Sequence, residues 1–153
     1  MAIAFTRKKR IMICSLSKEI EIYNVFTYNL EMTIEGHSLG VTYASLFDDK
    51  NGVITSSNDN TMKIWNIYAH SYQLIGTINC GCLILQVLIF PHNIIISCSS
   101  SKGIIARTSF SPYKNTGSSF KGECYYQIDE VVVGSQKYIV ATTNTGGIAI
   151  CKE

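Results

Sequence analysis

Residues 55–67 read TSSNDNTMKIWNI. Small polar residues close one apolar run, an Asn- and Asp-rich turn follows, and an alternating strand then carries the single Trp of the chain, Trp65. The frame recurs. CSLSKEIEIYN (14–24), SCSSSKGIIART (97–108) and ATTNTGGIAICK (141–152) each pass from a small polar strand end through a turn into a strand. With Trp65 as the reference column, its counterparts are Tyr23, Arg107 and Cys151, at successive intervals of 42, 42 and 44 residues. A period of this length, built from several short strands, belongs to propeller blades.

The rest of the chain agrees with that period. Runs such as RIMICSLS, LEMTIEG, NIIISCSS, EVVVGS and YIVATT are short and rich in Ile and Val, and turn residues such as Asn51-Gly52, Lys102-Gly103 and Thr145-Gly146-Gly147 separate them. No window sustains a 3.6-residue apolar period, so the reading is all-β. The expected fold is a set of four-stranded antiparallel blades, about four repeats in an incomplete ring. The expected units are 1–32, 33–75, 76–118 and 119–153 of a single propeller segment.

Composition bounds the function. Apolar residues make up 46% of the 153, enough for a core, and 13 Lys+Arg against 11 Asp+Glu leave a net charge of +2. That balance gives no strong pull toward nucleic acid or acidic lipid. The chain opens MAIAFTRKKR, with its basic cluster after the apolar residues, the reverse of a secretory signal. The longest apolar run, CLILQVLIF, ends at Pro91 and is far shorter than the ~20 residues of a membrane span. Six cysteines (Cys14, Cys80, Cys82, Cys98, Cys124, Cys151) lie mostly in apolar runs, so a reducing, cytoplasmic or nuclear setting is expected. Cys80-Gly81-Cys82 lacks the second ligand pair of a zinc site. Its thiols are expected buried at alternate positions of a strand, with His92 an isolated ligand candidate. No metal and no cofactor are expected.

Gly36-His37 is followed by GVTYASLF and then by GVITSSNDNTMKIWN, with 29 residues from Gly36 to Trp65. This stretch resembles a WD repeat, a propeller blade that opens on Gly-His and closes on Trp-Asp; here Asn66 stands in place of the closing Asp. The resemblance extends from Ile3 onward. It implies a buried structural relay of His37, Ser56 or Ser57, Asp59 and Trp65, with Asp59 and the hydroxyl on the two imidazole nitrogens and the indole N–H donating onward. The residues alone do not choose between the serines. The other units lack this set, and their cohesion is expected from residues such as Ile20, Ile22, Ile104 and Ile150.

His, Asp and Ser together also spell a hydrolase triad, but no nucleophile elbow accompanies them, and a hydroxyl bonded to an indole is not presented to substrate. A propeller-based enzyme needs converging histidines, carboxylates or metal ligands, and His70 and His92 are the only histidines besides His37. Arg7, Lys8, Lys9 and Arg10 form the one basic cluster. A solvated turn is its default reading, and a nucleic-acid or phosphoinositide contact the alternative. The segment 109–123 is polar and turn-rich, suited to an outer strand, a contact or a phosphorylation site. The preferred function is a non-catalytic protein–protein interaction scaffold within a larger assembly. Its first contact candidates are the turns bearing Lys18, Asn58, Asn60, Lys102 and Thr145, expected on one face. WD-repeat propellers generally close with about seven or eight blades, whereas 153 residues hold about 3.6 periods. A fragment, or a chain completed by a partner or a second propeller half, is therefore expected, because an open flank exposes edges and apolar surface.

Overall fold

The structure is a computed structural model that describes residues 2–5, 9–46, 51–90, 93–98, 104–108, 114–119, 125–143 and 146–152. Every regular element among them is a β-strand. The first sheet takes β1 (Ala2–Phe5), β2 (Arg10–Cys14), β3 (Ile20–Asn24) and β4 (Leu30–Ile34) in chain order. The second takes β5 (Val41–Leu46), β6 (Gly52–Ser57), β7 (Thr61–Ile67) and β8 (Tyr72–Asn79). The third takes β9 (Ile84–Phe90), β10 (Asn93–Cys98), β11 (Ile104–Thr108) and β12 (Lys114–Ser119). The fourth has three strands, β13 (Tyr125–Val133), β14 (Gln136–Thr143) and β15 (Ile148–Lys152). All neighbours are antiparallel meanders, the construction of propeller blades.

The 42-residue period is written into the register. Each reference residue sits opposite an aliphatic residue of the preceding strand: Tyr23 opposite Ile11, Trp65 opposite Val53, Arg107 opposite Ile94 and Cys151 opposite Ile139. The pairing of third and fourth strands shifts immediately before the same column, between Ile22 and Tyr23, Ile64 and Trp65, and Ala106 and Arg107. A bulge adds one residue and sharpens the twist of the strand that carries it. Its recurrence at one column marks the first three sheets as copies of one unit. β4 and β8 run a little past the expected unit ends at 32 and 75, to Ile34 and Asn79.

The chain divides into two compact units, Met1–Gly81 and Cys82–Glu153. In the first, Met12, Cys14, Ile20, Ile22 and Ile34 of one sheet pack against Val41, Ala44, Val53, Trp65 and Ile67 of the next. Strand alternation explains the selection: β2 and β3 both read buried–intermediate–buried, so every second residue reaches this seam. Burial also pushes the Cys14 thiol up to about 11, against the small opposing effect of the N-terminal charge. In the second unit, Ile128, Ile139 and Ala141 are buried, and the Ile128 amide donates to Gln86 Oε1 at 2.9 Å.

Several expectations change. Arg10 is no part of a solvated turn: it opens β2, is buried, and its Nε meets Glu31 Oε2 at 2.5 Å. Its two terminal nitrogens donate to the carbonyls of Tyr68 (2.9 Å) and Ala69 between β7 and β8. One planar guanidinium thereby ties the first sheet to the second, and its charge is spent inside the fold. Lys9 stays exposed, with Nζ 4.8 Å from the Phe26 ring centre, while Arg7 and Lys8 lie outside the described residues. Cys80 and Cys82 are buried thiols as expected, but they follow the end of β8, where Gly81 adopts a φ of 63°, so no strand alternation places them. Ile20 and Ile22 are core residues, whereas Ile150 is largely exposed; the side chain of Ile104 and the whole of His92 lie outside the described residues. Within 109–123 the backbone forms β12, an outer strand.

If the Arg10 fork is a staple between sheets, Arg10→Lys lowers unfolding free energy by about 1–3 kcal/mol, since one ammonium cannot span three acceptors. Lys9→Gln changes it by less than about 1 kcal/mol. Urea melts of the two variants measure the contrast.

Candidate functional site

Trp65 is buried in the seam of the first unit, and its ring lies against the Gly36 backbone: a Cβ on Gly36 would stand 2.6 Å from Trp65 Cη2. A rigid indole cannot yield to such a contact, which accounts for glycine ahead of His37. The indole N–H donates to Thr55 Oγ1 at 2.9 Å. Thr55 Oγ1 is also 2.8 Å from His37 Nε2, and His37 Nδ1 is 2.9 Å from Asp59 Oδ2.

Donor counting orders these bonds. The indole nitrogen only donates, so the Thr55 oxygen accepts from it. The carboxylate only accepts, so His37 carries its proton on Nδ1 and gives it to Asp59. Nε2 is then an acceptor, and the single Thr55 hydroxyl proton goes there. Every member is satisfied once, and the arrangement requires a neutral imidazole. Burial accordingly lowers the pKa of His37, more than the Asp59 contact raises it. Burial works the other way on Asp59, but bonds from the Thr61 hydroxyl, His37 and the amides of Ser38 and Thr61 outweigh it and hold the carboxyl at about 2.

The hydroxyl is therefore Thr55, and neither Ser56 nor Ser57. Val53 pairs with Trp65 and Thr55 with Lys63, so the β6 residues on the Trp65 face are Val53, Thr55 and Ser57. Ser56 points to the opposite face, where its Oγ lies 3.2 Å from Thr42 Oγ1. Ser57 shares the face but lies at the strand end; it donates to the Leu39 carbonyl at 3.0 Å and accepts from the Asp59 amide at 3.1 Å. Alternation along β6 is the signal that excludes Ser56. The Asp-x-Thr spacing of Asp59 and Thr61 is the signal for the turn that holds the carboxylate. Ser38 had no signal, since its amide meets Asp59 only through tertiary structure.

As chemistry, the set has the hydrogen-bond order of a hydrolase triad without its access. Thr55 is completely buried and its oxygen is occupied by an indole, so no carbonyl carbon can approach. Among the described residues no cluster of His, Cys, Asp and Glu is arranged for a metal.

The relay ends at a surface. The Val41 amide donates to the Ser17 carbonyl (3.2 Å) and the Asn58 amide to the Gly40 carbonyl (3.0 Å), locking residues 15–19, 38–40 and 58–60 together. Gly40 allows the approach: a Cβ there would be 2.5 Å from the Leu16 carbonyl oxygen. Lys18, Asn58 and Asn60 are exposed on these turns, Asn60 in the left-handed region with φ 63°. Beside them Leu16 is 86% and Leu39 52% exposed, two apolar residues with no signal in the sequence reading. Lys102 and Thr145 lie outside the described residues.

No family model matches this chain. Over 60 residues, 39% of this chain and 8% of the other protein, it is 38% identical to the WD repeat-containing protein pop2 of Schizosaccharomyces pombe. The match thus spans only a small part of that protein's length. Among solved structures, the computationally designed Ika4 protein aligns with a TM-score of 0.68 at 14% identity, covering 95% of this chain and 86% of that one. At that identity the likeness concerns the fold alone. Among the described residues no helix is long and apolar enough to cross a membrane.

Removing the Thr55 hydroxyl as Thr55→Val leaves an indole N–H and an imidazole nitrogen without partners in a dry seam, and costs about 2–4 kcal/mol. Ser56→Ala costs about 1 kcal/mol or less, because Thr42 remains near a strand face that keeps its other bonds. Chemical denaturation of both variants separates the Thr55 relay from one through Ser56. The relay also sets an acid response. With its folded pKa lowered, His37 stays neutral while the unfolded chain takes up a proton, so stability declines as pH falls below about 6.5. Asp59 adds a second decline from about pH 4 to 2, where its folded carboxyl is at last protonated. Melting temperature against pH shows both steps, and His37→Gln removes the first.

Proposed function

We propose that the chain is a non-catalytic protein-interaction module of WD-repeat type that acts within a larger assembly. The observation that carries this reading is the pair of exposed leucines, Leu16 and Leu39, on turns whose backbones are bonded to one another. Exposed leucines on ordered backbone lose little conformational entropy on contact, and Lys18, Asn58 and Asn60 supply a polar rim around them. The partial identity to a WD repeat protein supports the same class. The buried relay is then the frame for these turns: Asp59 holds Ser38 and Thr61, and Ser57 holds Leu39. Arg10 is engaged with Glu31 and two carbonyls, which weakens the case for a phosphate-binding basic loop.

The double variant Leu16→Asp/Leu39→Asp tests the reading. Both side chains are exposed, so the melt stays within about 1 kcal/mol of the parent. Partners captured by the parent chain bind the double variant about tenfold or more weakly in a titration. Equal binding by both chains, or a parent that captures no protein, rejects this surface.

A further inference from the structure

The four sheets are copies in register, so a residue of one has a counterpart in another. In the first unit the seam is made on one side by Met12 and Cys14 of β2 with Ile20 and Ile22 of β3, all buried. Met12 pairs with Ile22 and Cys14 with Ile20. The matching rungs of the fourth sheet are Val140 with Ile150 and Thr142 with Ile148. There the same face is open: Ile148 is 70% and Ile150 63% exposed, and Val131 and Val133 extend the apolar surface along β13. Val131, Val133, Tyr138, Val140 and Ile150 line a hollow of about 260 Å³ on it. Asp129, Gln136 and Thr142 lie on this face too, but between them Val131, Val133, Ile148 and Ile150 leave much of it apolar and exposed.

The other side of the seam also has a copy, half-buried where its counterpart is fully buried. The second sheet brings Val53, Thr55 and Trp65 to it, with Val53 opposite Trp65 and Thr55 opposite Lys63. In the first sheet the equivalent rungs are Ile11 opposite Tyr23 and Ile13 opposite Glu21. Ile11, Ile13 and Tyr23 line a hollow of about 390 Å³ on the face away from the core. Glu21, like its half-buried counterpart Lys63, sits at the margin, where the Tyr23 hydroxyl donates to it.

We infer that a second copy of this chain covers these faces: the open β13–β15 face of one copy receives the Ile11–Ile13–Tyr23 face of β1–β4 from another. The contact repeats, between molecules, the sheet-on-sheet seam already present inside the first unit. It is head-to-tail, because the two surfaces differ. It stands on the sheet faces and is independent of the turn surface bearing Leu16 and Leu39.

Light scattering on the full chain at micromolar to ~100 μM concentration tests it. The parent should exceed the mass of a 17.0 kDa monomer, increasingly with concentration. Ile150→Lys and Ile11→Lys should each return to monomer while keeping the parent's circular dichroism. Ile148→Lys and Tyr23→Lys serve as the second variant on each face should one of the first lose its spectrum. An equimolar mixture of Ile150→Lys and Ile11→Lys should regain the heavier species, since one contact between the two has both faces intact. Leu16→Asp/Leu39→Asp should associate like the parent. A monomeric parent assigns the faces to another occupant and overturns the inference. So do an assembly that survives either face variant and a mixture that fails to regain mass.

Discussion

The indole N–H of Trp65 lies in a dry seam between two sheets, and water cannot satisfy it there. A hydroxyl must stand within reach, that hydroxyl must spend its own proton elsewhere, and the acceptor of that proton must itself be held. Thr55, His37 and Asp59 follow in that order. Because Asp59 also receives the amides of Ser38 and Thr61, the same constraint reaches the turns at the end of the sheets. A side chain placed to fill a core thus fixes the loops that a partner would meet. The cooperation of such chains in a low-dielectric interior makes them stiff as well as stable.

Around the relay, aliphatic packing carries the remaining cohesion. Met12, Cys14, Ile20 and Ile22 have no polar atom to place in the seam except one thiol, and they meet the Trp65 side through shape alone. Arg10 supplies a further directional link in the first unit, with Glu31 from its own sheet and two carbonyls from the next. The repeat tolerates the loss of the relay in other copies because the register, with its bulge ahead of the reference column, is a backbone property.

The all-β class, the 42-residue period, the reference column and the identities of His37, Asp59 and Trp65 were all readable along the chain. The class, the period and the column depend on local alternation, turn residues and spacing, which are properties of neighbours in sequence; the three relay residues followed from the resemblance of 36–66 to a WD repeat. The outer strands were harder. β8 is exposed along most of its length and β12 is rich in Ser, Asn and Gly, so neither shows the apolar alternation that identifies a strand packed on one face. They are strands because an inner strand offers them an edge to pair with, and no window of sequence contains that edge.

The sequence by itself determined which residue types could form a relay and how far apart the copies lie, because donor inventory and period are fixed by composition and order. Tertiary structure decided which hydroxyl joined it. Ser56 and Ser57 were the expected partners, and the face of β6 together with the reach of the indole selected Thr55. It also turned Arg10 from a surface charge into an internal staple, since only folding brings the Tyr68 and Ala69 carbonyls to it. Which apolar faces stay open was likewise settled in three dimensions. Ile22 and Ile150 occupy the same rung of the same motif, yet Ile22 is buried in the seam of the first unit while Ile150 is 63% exposed.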